Sequence, residues 1–224
     1  MSKRYAFVSD VHGRRHKLQA VLTDAQSRGA NQIVSLGDVG GDDCVSLLHQ
    51  VGATAVFGNY EVSGWRRLKP QQRSWVQCWP PLLAHDGFLA VHAAPWWPEG
   101  LQTIEDFGRW LKKENHPWRT LFPYLTSQDD LWRALAELEH TNASVLFHGH
   151  THRQAVWEWG PEGRLLSLPT SATSIKSGAR YVVGVGSVGL PEDQCWAAYT
   201  LYDTDAHRFE PVRLGNSPHS SNAG

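Results

Sequence analysis

The sequence predicts an α/β fold in which two β-sheets pack together with helices outside them. Three observations carry that reading. The first half alternates short apolar runs with helical periodicity, the rhythm of a parallel sheet with crossover helices. The second half becomes hairpin-like. Asp, Asn and His residues stand directly after five of the apolar runs, and strand ends on one edge of a sheet converge in space even when distant in sequence.

Tyr5-Ala6-Phe7-Val8-Ser9 is an apolar run of the kind a buried strand uses. Leu18, Val21, Leu22 and Ala25 then recur at helical spacing, and Gly29 closes that helix. Ile33 to Leu36 is the next strand, followed by Gly37-Asp38 and a Gly-rich turn. A helix starting at Asp42 and Asp43 and running around Cys44 to Val51 leads to a strand at Thr54 to Phe57. Phe88 to Val91 adds a strand that delivers His92. The stretch from Pro95 to Thr141 is rich in Trp, Pro and charge, with a helix expected from Gln128 to Glu139. It reads as a cap insert at about 95–141 within a single domain spanning 1–215. Strands resume at Ser144 to Phe147. A hairpin follows: Val156 to Trp159, a Gly160-Pro161-Glu162-Gly163 turn, then Leu165 to Leu168. Arg180 to Val185, Cys195 to Tyr202 and Phe209 to Leu214 read as further strands. The small, polar tail 216–224 is expected to be disordered.

A chain of 224 residues buries enough surface to need no disulfide staples. Cys44, Cys78 and Cys195 are scattered and odd in number, which reads as reduced thiols. No apolar stretch approaches the roughly 20 residues of a membrane span, and no signal-peptide pattern opens the chain. The expectation is a soluble, cytoplasmic protein. A formal net charge of -1 gives no global case for nucleic-acid binding.

The candidate metal ligands are Asp10, His12, Asp38, Asn59, His92, His150 and His152. Asp, Asn and His gain nothing from clustering unless something positive sits among them. If the chain stays extended past each strand, Asp10 and His12 point to one side, and so do His150 and His152. Gly149 would leave room for metals, and Gly37 would permit close backbone approach to Asp38. Alone, each motif has an ordinary explanation, as a turn, a helix cap or a surface His; together the five segments are far more specific.

The order Asp10-Val11-His12, Gly37-Asp38, Gly58-Asn59-Tyr60-Glu61, His92, Gly149-His150-Thr151-His152 resembles the calcineurin-like metallophosphoesterase superfamily. Gly186-Ser187-Val188-Gly189-Leu190-Pro191 is similar to a turn in its small prokaryotic phosphodiesterase-like members. The resemblance implies a four-layer α-β-β-α sandwich with two mixed β-sheets. It implies one divalent ion held by Asp10, His12, Asp38 and His152, and a second held by Asp38, Asn59, His92 and His150. Mixed carboxylate, amide and imidazole donors suit transition metals, with Mn favoured and Fe, Zn, Co or Ni as alternatives. Two such ions about 3.5–4 Å apart trap a bridging water and lower its pKa, and the hydroxide attacks phosphorus in line.

Two departures matter. The family's third motif usually carries a His that protonates the leaving group, and here Tyr60 stands in its place; Asp38, Asn59 and Tyr60 are the catalytic candidates. The phosphoprotein-phosphatase branch carries an Arg soon after Gly-Asp, and 39–43 here reads Val-Gly-Gly-Asp-Asp. The expected activity is metal-dependent hydrolysis of phosphate esters, with diesters favoured. A protein or nucleotide phosphatase is the alternative enzyme, and a metal-binding scaffold the alternative of another class. Trp96 and Trp97, soon after His92, are expected near the site, and His148 is expected to point away from the metals.

Overall fold

The computed structural model describes residues 3–85, 87–113 and 117–215. The expected tail at 216–224 lies outside the described residues. Two six-stranded mixed sheets form the centre. The first runs in spatial order β3 (Thr54–Ala55), β2 (Gln32–Ser35), β1 (Arg4–Val8), β11 (Ala197–Asp203), β12 (Arg208–Leu214) and β9 (Thr173–Ser174). The second runs β4 (Leu82–His85), β5 (Phe88–Val91), β6 (Val145–His148), β10 (Arg180–Val185), β7 (Gln154–Trp159) and β8 (Leu165–Leu168). The β1–β2–β3 and β5–β6–β10 groups are parallel, and the hairpins β7–β8 and β11–β12 are antiparallel.

The alternation of side chains builds the layers. Phe7, Val34, Phe88, Phe147, Tyr181 and Phe209 fill the space between the sheets. Phe7 and Phe147 stack across it with ring centroids 4.0 Å apart. On the outer face of the first sheet, α1 (Arg15–Ser27) buries Leu18, Val21, Leu22 and Ala25, and α2 (Asp42–Gln50) buries Cys44, Val45, Leu47 and Leu48. On the outer face of the second, α7 (Gln128–Glu139) lays Leu131, Leu135 and Leu138 against Leu89, Leu146 and Val182. Helix, sheet, sheet, helix is thus the layer order. Asp42 and Asp43 occupy the first turn of α2, where they complement the helix dipole.

Several elements differ from expectation. β3 ends at Ala55 because Val56 N still reaches Ser35 O of β2 but Phe57 N turns to Pro80 O instead. α4 (Pro70–Gln77) and β4 lie where no element was expected. The Trp-rich stretch hides α5 (Ile104–Lys113), whose Ile104, Phe107 and Leu111 are buried at helical spacing, and α6 (Trp118–Leu121). No helix among the described residues is long and apolar enough to cross a membrane.

Phe147→Ala removes the ring that joins the two sheets and leaves a cavity between them. We expect a loss of about 3–5 kcal/mol in unfolding free energy, measured by urea denaturation. A loss below about 1 kcal/mol would mean that the sheets are held by other contacts.

Candidate metal centre

The parallel strands of both sheets end at one place. Asp10 and His12 follow β1, Asp38 follows β2, and Asn59 opens α3 (Asn59–Gly64) just past β3. His92 follows β5, and His150 and His152 follow β6. Their donor atoms converge in two groups, Asp10 with His12 and His152, and Asp38 with His92 and His150. Asp38 reaches toward both: its Oδ2 lies 3.9 Å from His12 Nε2 and its Oδ1 lies 3.5 Å from His92 Nε2. Asn59 Oδ1 is 3.0 Å from His92 Nε2. All seven residues expected from the sequence are therefore brought together.

The backbone at these residues is unusual. Asp10, His12, Asp38, His150 and His152 all have positive φ, between 48° and 63°. Non-glycine residues adopt that region sparingly, and it is found where function demands it. This overturns the expected extended geometry. His150 and His152 do not face one way but enter different groups. Hydrogen bonds between loops hold the shape: Asp10 N donates to Gly37 O, His12 N to Asp38 O, Gly149 N to His92 O and Gly189 N to Asp10 O. His150 N donates to Asp10 Oδ2 at 2.9 Å, and Tyr60 N to Asp38 Oδ1 at 2.7 Å. Gly149 makes room for Ser9 and Asp10, since a Cβ there would collide with the Ser9 hydroxyl. Gly37 does permit a close approach, to the backbone of Gly58.

The buried charges of the cluster suit bound cations. Asp10 is fully buried; burial works against its ionised form, yet His12 and His152 beside it hold its carboxyl below the usual range. Burial, with the charge of Asp10, pushes Asp38 up against the opposing pull of His92. Burial works against a charged His92, but Asp38, Asp10 and Glu61 outweigh it and raise its pKa. Burial lowers His150 to about 3, so this ring is neutral and able to donate a lone pair near pH 7. His92 Nδ1 lies 2.7 Å from Leu36 O and His152 Nδ1 lies 2.9 Å from Leu190 O. With Nδ1–H donated to those carbonyls, each ring in its neutral form presents the Nε2 lone pair. Those Nε2 atoms face acceptors: Asn59 Oδ1 for His92, and Asp10 Oδ1 at 3.2 Å for His152. Asp10 Oδ1 has no hydrogen-bond partner despite its burial. Lone pairs aimed at one another in a buried site are the donor set of a metal ion.

Glu61 has a role that the sequence reading passed over. It is 5% exposed, and its carboxylate accepts hydrogen bonds from the N–H groups of Asp38, Val39 and Gly58, each at 2.8 Å. It ties the Gly-Asp loop to the Gly-Asn loop. The signal was the acidic residue three positions after Gly58, the spacing of a capping interaction. Burial and the nearby Asp38 raise its pKa, against the pull of the three N–H donors. Tyr60 is exposed, with its ring edge-on to His12 at 5.3 Å. His148 is buried with Nδ1 at its neighbouring carbonyl and belongs to neither donor group. Trp97, as expected, lies near the site, lining a small hollow with His92 and packing on Phe107, whereas Trp96 lies under the Arg133 guanidinium. From that segment it is Tyr124 that stacks on a donor, His150, at 4.5 Å.

The calcineurin-like phosphoesterase superfamily domain matches residues 4–207, and the chain belongs to that superfamily. A protein of Methanocaldococcus jannaschii, itself described as uncharacterized, is 28% identical over 227 residues, which cover 93% of this chain and 86% of that one. The crystal structure of a metallophosphoesterase from Sphaerobacter thermophilus superposes with a TM-score of 0.70 at 21% identity, covering 96% of this chain and 88% of that one. An archaeal phosphodiesterase superposes with a TM-score of 0.50 at 10% identity, covering 94% and 99%. Both likenesses are of fold. By family, then, the chain is a metallophosphoesterase.

Glu61→Gln keeps the shape of the side chain but replaces one carboxylate oxygen with a donor that faces backbone N–H. We expect about 1–3 kcal/mol of destabilisation and a Mn affinity weaker by about 10–100-fold, read by urea denaturation and calorimetric titration. Unchanged values in both would remove Glu61 from the site.

Proposed function

We propose that this chain is a binuclear metal-dependent phosphoesterase that favours phosphodiesters. Asp10, His12, Asp38 and His152 would hold one divalent ion, and Asp38, Asn59, His92 and His150 the other, with Mn favoured. The observation that carries this reading is the Asp38 carboxylate, within 4 Å of an imidazole from each donor group. When bound, the ion pair supplies an acidified water and Lewis acidity at the phosphoryl oxygens. The protein's own residues do the rest. Glu61 fixes the loop that carries Asp38. Leu36 O and Leu190 O hold the His92 and His152 rings in the tautomer that presents Nε2.

Charge favours a diester over a monoester. A monoester dianion needs more compensation than a diester monoanion, and the loop after Asp38 carries no cationic side chain through Asp43. Arg153 pairs with Glu192 at 2.7 Å on the exposed surface. These points weigh against the protein-phosphatase alternative. We take 1–215 as one domain. Of the expected insert, α7 serves as an outer layer of the second sheet, so the proposed cap is the part before it. All three cysteines are unpaired, in keeping with a cytoplasmic setting.

Tyr60 is the weak point of the chemistry. A phenol is a far weaker acid than the imidazolium that usually stands there and protonates a leaving group less readily. A Mn-loaded panel of diesters with graded leaving groups tests both function and acid. We expect hydrolysis, with rates falling steeply as leaving-group pKa rises, and a shallower slope for Tyr60→His. No hydrolysis of any ester would sink the phosphoesterase reading; a shallow slope in the unmodified protein would mean that another group donates the proton.

A further inference from the structure

Lys17 stands in the first turn of α1, where the helix dipole disfavours a cation. Its ammonium is nonetheless folded back against the protein. It donates to Gly189 O at 3.0 Å and to Trp196 O at 2.6 Å, and it lies 5.6 Å from the centre of the Trp196 ring. Both partners are main-chain carbonyls, one within the Gly186-to-Pro191 turn and one just after it.

That turn grips two of the metal donors. Gly189 N donates to Asp10 O at 2.9 Å, and a Cβ on Gly189 would collide with the Val11 carbonyl. The Ser187 hydroxyl donates to Asp10 O at 2.8 Å and accepts from Leu190 N at 2.8 Å. Leu190 O then faces His152 Nδ1 at 2.9 Å, and Glu192 N donates to His152 O at 3.1 Å. Asp10 and His152 belong to the same donor group, with His12. Among the described residues, no hydrogen bond from 186–192 reaches Asp38, Asn59, His92 or His150. Glu61 and Leu36 O hold that second group instead.

We infer that Lys17 is a positioning residue that pins the 186–191 turn and so sets the affinity of the Asp10, His12 and His152 side for its ion, leaving the other side unaffected. This rests on the metal-centre reading and deepens it: the two ions have separate supports. The direction of the effect is diagnostic. A bystander ammonium repels a nearby metal ion, so its removal strengthens metal binding. Removal of a pin does the opposite, because the turn relaxes and Asp10 and the His152 ring lose their aim. Outer partners that orient metal ligands change affinity by about 10–100-fold.

The test is calorimetric titration of the full chain with Mn. Lys17→Met keeps the alkyl stem and removes the ammonium, while Ser187→Ala breaks the same support at another contact. We expect each variant to weaken one ion by about tenfold and leave the other unchanged. Two backgrounds assign the ion. In Asn59→Ala, Lys17→Met should weaken the ion that remains; in His12→Ala it should change nothing further. Equal weakening of both ions, no change, or tighter binding in Lys17→Met would overturn the inference. Amide hydrogen exchange of the metal-free protein reads the support without any ion. Lys17→Met should speed exchange at Gly189 N and leave Asp38 N and Gly58 N, which Glu61 holds, as they were. If the unmodified protein binds no Mn while that selective change is seen, the pinning of the turn stands and the metal-centre reading falls. Exchange that speeds up uniformly, or not at all at Gly189, overturns the pin.

Discussion

The Asp38 carboxylate is 2% exposed and lies between His12 on one side and His92 on the other. Asp10 is buried close by, and Glu61 hydrogen-bonds the backbone of Asp38 itself. Three carboxylates in so small a dry volume repel one another and lose hydration. Hydrogen bonding meets part of that cost: Glu61 takes three N–H groups, Asp38 takes Tyr60 N and Asp10 takes His150 N. The remainder calls for positive charge, and the imidazole nitrogens that surround the carboxylates are turned to share it.

Backbone strain points the same way. Left-handed conformations at non-glycine residues cost on the order of 1–3 kcal/mol each, least for Asp, whose short side chain bonds locally. Here they recur at five of the seven donors. The two sheets make them affordable. Their strands end level with one another, and the loops that follow cross-link through Asp10 N to Gly37 O, Gly149 N to His92 O and Gly189 N to Asp10 O. The Gly186-to-Pro191 turn, far away in sequence, thus buttresses the first loop, with the Ser187 hydroxyl donating to Asp10 O. The packed sandwich fixes loops that would otherwise relax and separate the donors.

Much of this was legible in the sequence. Strands at Phe88–Val91 and Arg180–Val185 and the helix Gln128–Glu139 fall where periodicity places them, because each has a clean apolar pattern, while Leu165–Leu168 falls where the turn before it returns the chain. The cluster was legible because five segments that place Asp, Asn or His directly after an apolar run are together far more specific than any one of them. The directions of the side chains were not. Side-chain alternation assumes extended backbone, and φ near +50° to +60° at Asp10, His12, His150 and His152 breaks that assumption. The helix Ile104–Lys113 was hidden by charge and tryptophan, although its Ile104, Phe107 and Leu111 share one face. Tyr124 carried no signal at all, since its stacking on His150 depends on where a long connection returns.

The shared carboxylate is best tested by counting ions. Calorimetric titration with Mn, followed by elemental analysis after dialysis, should find two ions per chain in the unmodified protein. Asn59→Ala should weaken mainly one of them, while Asp38→Ala should abolish retention of both. A protein that stays metal-free when offered Mn or Zn, or an Asp38→Ala variant that keeps one ion at full affinity, would contradict a centre built around Asp38.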